Sequence, residues 1–161
     1  MSGASKAIPV LSPSAIALQL GEGDDMGKNV KITSSKNEKL NTTIKAINYK
    51  KNIINDVYNQ LTLNCKGNYG VIFRAYNDGV AYRFFTKKQG ELTIVNEQAD
   101  FNFDKDYKCY IPFVRDFRGD EQYIQSFEAL YTEKNISQFL KDTLGFLPIL
   151  IDLGNQKKAV I

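Results

Sequence analysis

Hydrophobic and polar positions alternate most clearly in "YGVIFRAYNDGVAYRFF", Tyr69 to Phe85. Val71, Phe73 and Ala75 fall on one face of an extended chain, and Ile72, Arg74 and Tyr76 on the other. The alternation resumes after Asn77-Asp78-Gly79, with Val80, Tyr82 and Phe84 opposing Ala81, Arg83 and Phe85. A period of two on both sides of an Asn-Asp-Gly group predicts a β-hairpin with a tight turn. Gly79 is expected to supply a positive φ there. Bulk on both faces predicts a hairpin covered on both sides. Shorter runs repeat the pattern: "AIALQLGEG" with Ile16, Leu18 and Leu20, then Ile44 and Ala46, then Leu61, Leu63 and Cys65. "ELTIVNEQADFNF", "KCYIPF" and "FLPILIDLG" follow. Such runs, rich in Val, Ile, Thr, Tyr and Phe and separated by Gly, Asn and Asp, predict a mostly β protein. Of a sandwich and a barrel, we expect an antiparallel β-sandwich.

The remaining segments have weaker patterns. Residues 1–14 are small, polar and proline-containing, which predicts a flexible lead-in, with a single β-sandwich domain over 15–161. Asp24 to Asn41 has few apolar anchors and reads as a mobile connection with one short strand, "VKIT". One or two short helices are expected. In "EQYIQSFEALYTEK", Tyr123, Phe127, Leu130 and Tyr131 recur at helical spacing. In "SQFLKDTL", Ser137 is a candidate cap before Phe139, Leu140 and Leu144.

Composition narrows the chemistry. The 161 residues contain no histidine, which removes Ser-His-Asp and Cys-His catalysis and His-containing zinc sites. Cys65 and Cys109 are far apart and could form one disulfide or remain two thiols. The alternation of Leu61, Leu63 and Cys65 favours buried thiols. The net charge of +3 arises from 21 basic and 18 acidic residues. The lysines are scattered, as in "KNVKITSSKNEK", rather than gathered in the stripe that nucleic-acid binding needs. No apolar run approaches the roughly 18 residues of a membrane helix. No signal peptide is visible in "MSGASKAIPVLSPSAIALQL", which has one lysine and no sustained apolar stretch. No glycine-rich phosphate loop, HExxH or EF-hand pattern occurs.

Arg74 and Arg83 flank the turn of the hairpin. They could grip an anionic ligand, or pair with carboxylates and stack on tyrosines. A charge set so deep in strand sequence needs a local partner, so the second reading is preferred and the hairpin is read as scaffold.

The segment "FRAYNDGVAYRF" closely resembles the N-terminal domain of glycoside hydrolase family 97, bacterial α-glucosidases and α-galactosidases. "SPSAIALQLGEG", "NEQADFNFDKDYKCYIPF", "YIQSFEALYTEKNISQF" and "GFLPILIDLGNQKKAVI" are similar to segments of that family in the same order, from about Ile8 to Ile161. The resemblance implies a galactose-mutarotase-like β-super-sandwich. In the family this domain accompanies a catalytic (β/α)₈ barrel that carries the catalytic carboxylates, and calcium assists at the active site. Family members usually have further strands before the first matching segment. An acidic segment expected to carry a calcium-binding glutamate tends to follow the last. By this resemblance the chain is part of an accessory domain. Its expected partner is the catalytic barrel of the parent glycosidase, in the periplasm or outside the cell, with calcium in the full-length enzyme and no cofactor in this chain.

Glycoside hydrolysis requires two opposed carboxyl groups. Glu97, Asp100, Asp116, Asp120, Glu121 and Glu128 are available, but isolated acids are poor indicators of catalysis. No catalytic residue is therefore assigned. The polar loop "RDFRGDEQY" is the best functional surface, with Arg115, Asp116, Asp120, Glu121 and Tyr123 as carbohydrate-binding candidates. Its plainer reading is a solvated loop docking on the barrel. The leading function is a non-catalytic domain that packs against the barrel and helps form the sugar site. The alternative is a free-standing carbohydrate-binding module, for which Tyr107, Tyr110, Phe117 and Tyr123 would supply flat aromatics and an α-linked glycan the ligand. A homodimer through exposed edge strands is also expected.

Overall fold

A computed structural model describes residues 9–47, 49–114, 129–140 and 143–161. The chain forms two compact units, one of Ile16–Ala99 and one of Met1–Ala15 with Asp100–Ile161. All strand pairs among the described residues are antiparallel.

The Ile16–Ala99 unit contains β1 (Ile16–Leu20), β2 (Ile32–Lys45), β3 (Ile53–Cys65), β4 (Tyr69–Ala75), β5 (Val80–Thr86) and β6 (Ile94–Ala99). Strands β2-β3-β4-β5 form one four-stranded sheet in chain order, and β1 pairs with β6. The core joins both sheets: Leu20, Met26, Cys65 and Tyr69 are buried, with Leu18, Phe84 and Leu92 packed against them. The strand alternation places these side chains inward. Leu61 lies opposite Phe73, Leu63 opposite Val71 and Cys65 opposite Tyr69. This is the expected mostly β, sandwich-like architecture, and Cys65 and Cys109 are both buried free thiols.

The second unit contains β7 (Lys108–Pro112), β8 (Tyr131–Asn135), β9 (Leu150–Gly154) and β10 (Lys157–Val160) in the order β10-β9-β7-β8. Cys109, Ile111, Pro112 and Ile151 are its buried residues among those described. Ser12, Pro13 and Ala15 exchange hydrogen bonds with Asn102 and Asp100.

Four local expectations are corrected. First, the stretch read as a loose connection is largely the 14-residue strand β2, which pairs with β3 from Ile32↔Cys65 to Lys45↔Ile53. It is an edge strand, exposed along nearly its whole length. It therefore needs no apolar face, and lysines suit such an edge.

Second, Tyr131 to Lys134, read as the end of a helix, belong to β8, whose ladder with β7 overrides the helical spacing. Leu130, also part of that reading, is exposed outside any helix, and residues 121–128 lie outside the described residues.

Third, the described residues of "SQFLKDTL" contribute only to a 3-10 turn, Ile136–Gln138, the one helical element among the described residues. Ser137 lies within the turn, and Leu140 and Leu144 are exposed, so no apolar helix face forms. Asp106 supports the turn from thirty residues away. Its carboxylate accepts from the Ser137 N–H at 2.8 Å, the Ser137 hydroxyl at 2.7 Å and the Asn135 amide at 3.3 Å. These bonds hold its pKa below the usual range, the Ser137 N–H contributing most.

Fourth, none of Asn77, Asp78 and Gly79 has a positive φ. The β4–β5 turn closes through the Tyr76 N–H donating to the Gly79 carbonyl at 2.8 Å. The left-handed residues sit in the preceding turn, at Gly67 (φ 100°) and Asn68 (φ 58°). The hairpin is buried at its base, at Tyr69, Gly70 and Val71, but open at its tip, where Val80 is 76% exposed.

Candidate functional site

The hairpin arginines are the first candidate. Arg74 on β4 lies opposite Gln60 on β3, and its Nε donates to the Gln60 side-chain oxygen at 3.0 Å. Its guanidinium lies 4.3 Å from the ring centre of buried Tyr58. The Tyr58 ring lies 5.2 Å from that of Tyr76, whose hydroxyl donates to Asp56 at 3.1 Å. Alternation gathers these five side chains on one face of β3 and β4 and the turn that follows. Arg74 is thus held by an amide and a ring, as the structural reading requires. Arg83 is exposed and opposite Ile72. The two arginines, Ile72, Tyr76 and Ala81 line a shallow hollow of about 160 Å³. Arg74 is scaffold first, because its guanidinium is already bonded, whereas Arg83 has no hydrogen bond or ion pair among the described residues.

The proposed carbohydrate contacts Arg115, Asp116, Asp120, Glu121 and Tyr123 lie outside the described residues, as do Phe117 and Glu128. Of the other acids singled out, Glu97 accepts from the Tyr82 hydroxyl at 3.4 Å. Burial, then the Glu97 charge, raises the Tyr82 pKa. Of the aromatics, Tyr107 and Tyr110 are half-buried rather than projecting. Tyr107 bonds Asp104 at 2.8 Å and meets Phe103 edge-on.

Sequence reasoning missed a charged face on the second unit. Lys108 on β7 lies opposite Asp152 on β9, Tyr110 lies opposite Glu133 on β8, and Lys158 on β10 lies opposite Asp152. Lys108 pairs with Glu133 at 2.7 Å, and Lys158 pairs with Asp152. Glu133 is held below the usual carboxylate range, first by the Lys108 hydrogen bond and then by Tyr110. Asp152 is lowered first by Lys158 and then by the Gly154 N–H. A glycosidase pair needs one carboxyl raised to serve as acid. Both of these are pushed the other way, so the face holds charge pairs and no proton donor. Glu133 was hidden because its segment was read as helix.

Calcium needs six to eight oxygen ligands, several of them carboxylates. Among the described residues no three acidic, cysteine or histidine side chains gather to hold a metal, so these residues do not fit a calcium site.

A family model described as glycosyl-hydrolase 97 N-terminal matches residues 4–161. The retaining alpha-galactosidase of Bacteroides thetaiotaomicron is 35% identical over 155 residues, covering 94% of this chain and 23% of that protein. A crystal structure of a beta-arabinopyranosidase superposes with a TM-score of 0.77 at 24% identity, over 94% of this chain and 26% of its own. A glycoside hydrolase family 97 enzyme in complex with acarbose, from Pseudoalteromonas sp., superposes at 0.64 and 19% identity, over 88% and 22%. At these identities the two structures speak for the fold alone. The chain spans about a quarter of the length of these relatives. With the family match running across almost the whole sequence, the chain belongs to the N-terminal domain of glycoside hydrolase family 97.

Proposed function

We propose that this chain is a non-catalytic β-sandwich domain that packs against the catalytic barrel of a family 97 α-glycosidase and helps form its sugar site. One observation carries the reading: the match is to the family's N-terminal region and spans about a quarter of the curated relative. The rest of such an enzyme must supply the opposed carboxyl groups. The test replaces the N-terminal domain of the Bacteroides thetaiotaomicron α-galactosidase with this chain. Turnover of nitrophenyl α-galactoside is then compared with that of the remainder alone. Recovery of activity in the fusion is expected; a fusion no better than the bare remainder sinks the proposal.

The same reading assigns calcium to the assembled enzyme and places that enzyme in the periplasm or outside the cell, in polysaccharide breakdown. The "RDFRGDEQY" loop, with Arg115, Asp116, Asp120, Glu121 and Tyr123, is its proposed contact with an α-linked glycan. When the chain is alone, the unpaired groups of edge strand β2 are proposed to join a second copy. Light scattering should then show mass rising with concentration, and a proline in mid-β2 should abolish the rise.

A further inference from the structure

We propose a second, independent site on the Ile16–Ala99 unit: a basic hollow that takes one acidic sugar, a uronate or sulfated unit. It does not rest on the accessory role proposed above. The hollow measures about 460 Å³, within the range of small-ligand sites. Two connections and the end of β5 build it. The β1–β2 connection contributes Asp24, Asp25, Lys28, Asn29 and Lys31. The β3–β4 turn contributes Lys66, and Lys88 follows β5.

Its floor is firm. Tyr69 is 7% exposed, and its hydroxyl accepts from the Gly27 N–H at 3.1 Å. Gly27 has φ 88°, and a Cβ there would meet the Ile16 carbonyl, so only glycine lets the connection come this close. Met26 beneath it is 2% exposed and bonded to Leu18 in both directions. Four lysines thus stand on and beside turns fixed to the core, whose left-handed residues include Gly23, Gly27, Asn29, Gly67 and Asn68.

The charges are unevenly spent. Asp25 is committed to Lys28 at 2.7 Å and to the Leu20 N–H at 3.0 Å. Lys31, Lys66 and Lys88 form no ion pair among the described residues. Three unpaired ammonium groups around one concavity call for an oxyanion. Asp24, Asn29 and the Tyr69 hydroxyl offer acceptors and donors suited to sugar hydroxyls. A nucleic-acid strand fits less well, because two carboxylates, Asp24 and Asp25, interrupt the basic surface.

The experiment titrates the full chain by calorimetry and amide NMR at low salt. The probes are digalacturonic acid, a disulfated disaccharide, maltose, inorganic sulfate and an eight-residue oligothymidylate. Binding of an acidic disaccharide, with shifts at Lys31, Lys66 and Tyr69, is expected. Lys31→Gln with Lys66→Gln should weaken it by about tenfold or more, and raising salt to 0.2 M should weaken it further. Lys39→Gln with Lys157→Gln, which changes exposed lysines elsewhere, should leave it intact. Equal binding of maltose, equal binding by the Lys31/Lys66 variant, tighter binding of the oligothymidylate, or inorganic sulfate binding as well as the acidic disaccharides would each overturn the proposal.

Discussion

Two glycines of the hairpin show how a residue's role depends on its surroundings rather than its name. Gly79 sits in the motif that invites a glycine argument, yet its φ is not positive and a Cβ there would meet nothing within 4 Å. Gly70, inconspicuous in sequence, is buried where β3, β4 and β5 run together. A Cβ there would collide with the Leu63 carbonyl oxygen and the Phe85 ring. Gly70→Ala should therefore cost about 1–3 kcal/mol by overpacking, and Gly79→Ala less than about 0.5 kcal/mol. Urea midpoints of the two variants check this, and a larger loss at Gly79 would reverse the assignment. Arg74 gives a second contrast. Arg74→Ala should cost about 1–2 kcal/mol through the lost Tyr58 stack and Gln60 bond, and Arg74→Lys should recover little, because an ammonium cannot lie flat on the ring. Full rescue by lysine in thermal melts would show that charge alone matters there.

At the scale of elements, the sheet of β7 to β10 should depend on pH in a way its charge pairs dictate. Glu133 and Asp152 have lowered pKa values, so the stability they contribute is fully present above the unfolded carboxylate value, roughly pH 4. It is lost as pH falls through their folded values. Lys108 has a raised pKa, first through the Glu133 hydrogen bond, so its contribution is present below the unfolded lysine value and lost as pH climbs through the folded one. Melting temperature should be flat across neutral pH and fall at both ends, and Glu133→Gln should flatten the acid limb. An unchanged acid limb in that variant would mean the pairs are too screened to matter. These pairings were not legible in sequence, for physical reasons. The strands of the Tyr69–Phe85 hairpin were legible because both faces carry bulk and the alternation survives. Strand β2 was not, because an exposed edge needs no apolar face. The helical reading of Tyr131 failed because aromatic spacing cannot report a partner strand. The Ile136–Gln138 turn has a local cap, the Asn135 N–H donating to the Gln138 side chain at 2.9 Å, but its second support comes from Asp106, far upstream, where no local signal points. Of the candidate site, the structural use of Arg74 could be argued from its depth in strand sequence, but its partners Gln60 and Tyr58 required the register of β3 with β4.

At the scale of the whole molecule, the question is whether a chain a quarter as long as its relatives can act alone. Hydrolysis of a glycosidic bond needs a carboxyl kept protonated and a second carboxylate across a sugar pocket, roughly 5 to 9.5 Å away. Much of the rate in such a site comes from holding the parts together. Glu133 and Asp152, two described carboxylates that share a sheet face, are both tied to lysines and both shifted toward the charged form. We therefore expect the purified chain to release no nitrophenol from nitrophenyl α-glucoside or α-galactoside, with or without calcium, and calorimetry to show no tight calcium binding. Asp120, Glu121 and Glu128 lie outside the described residues, so they make the sharpest control. Turnover by the chain alone that disappears in Asp120→Asn, Glu121→Gln or Glu128→Gln would establish the "RDFRGDEQY" region as a catalytic site in its own right. It would also replace the accessory role with an enzymatic one. Absence of turnover in the chain, together with activity in the fusion with the α-galactosidase remainder, would locate the chemistry in the part of the enzyme that this domain serves.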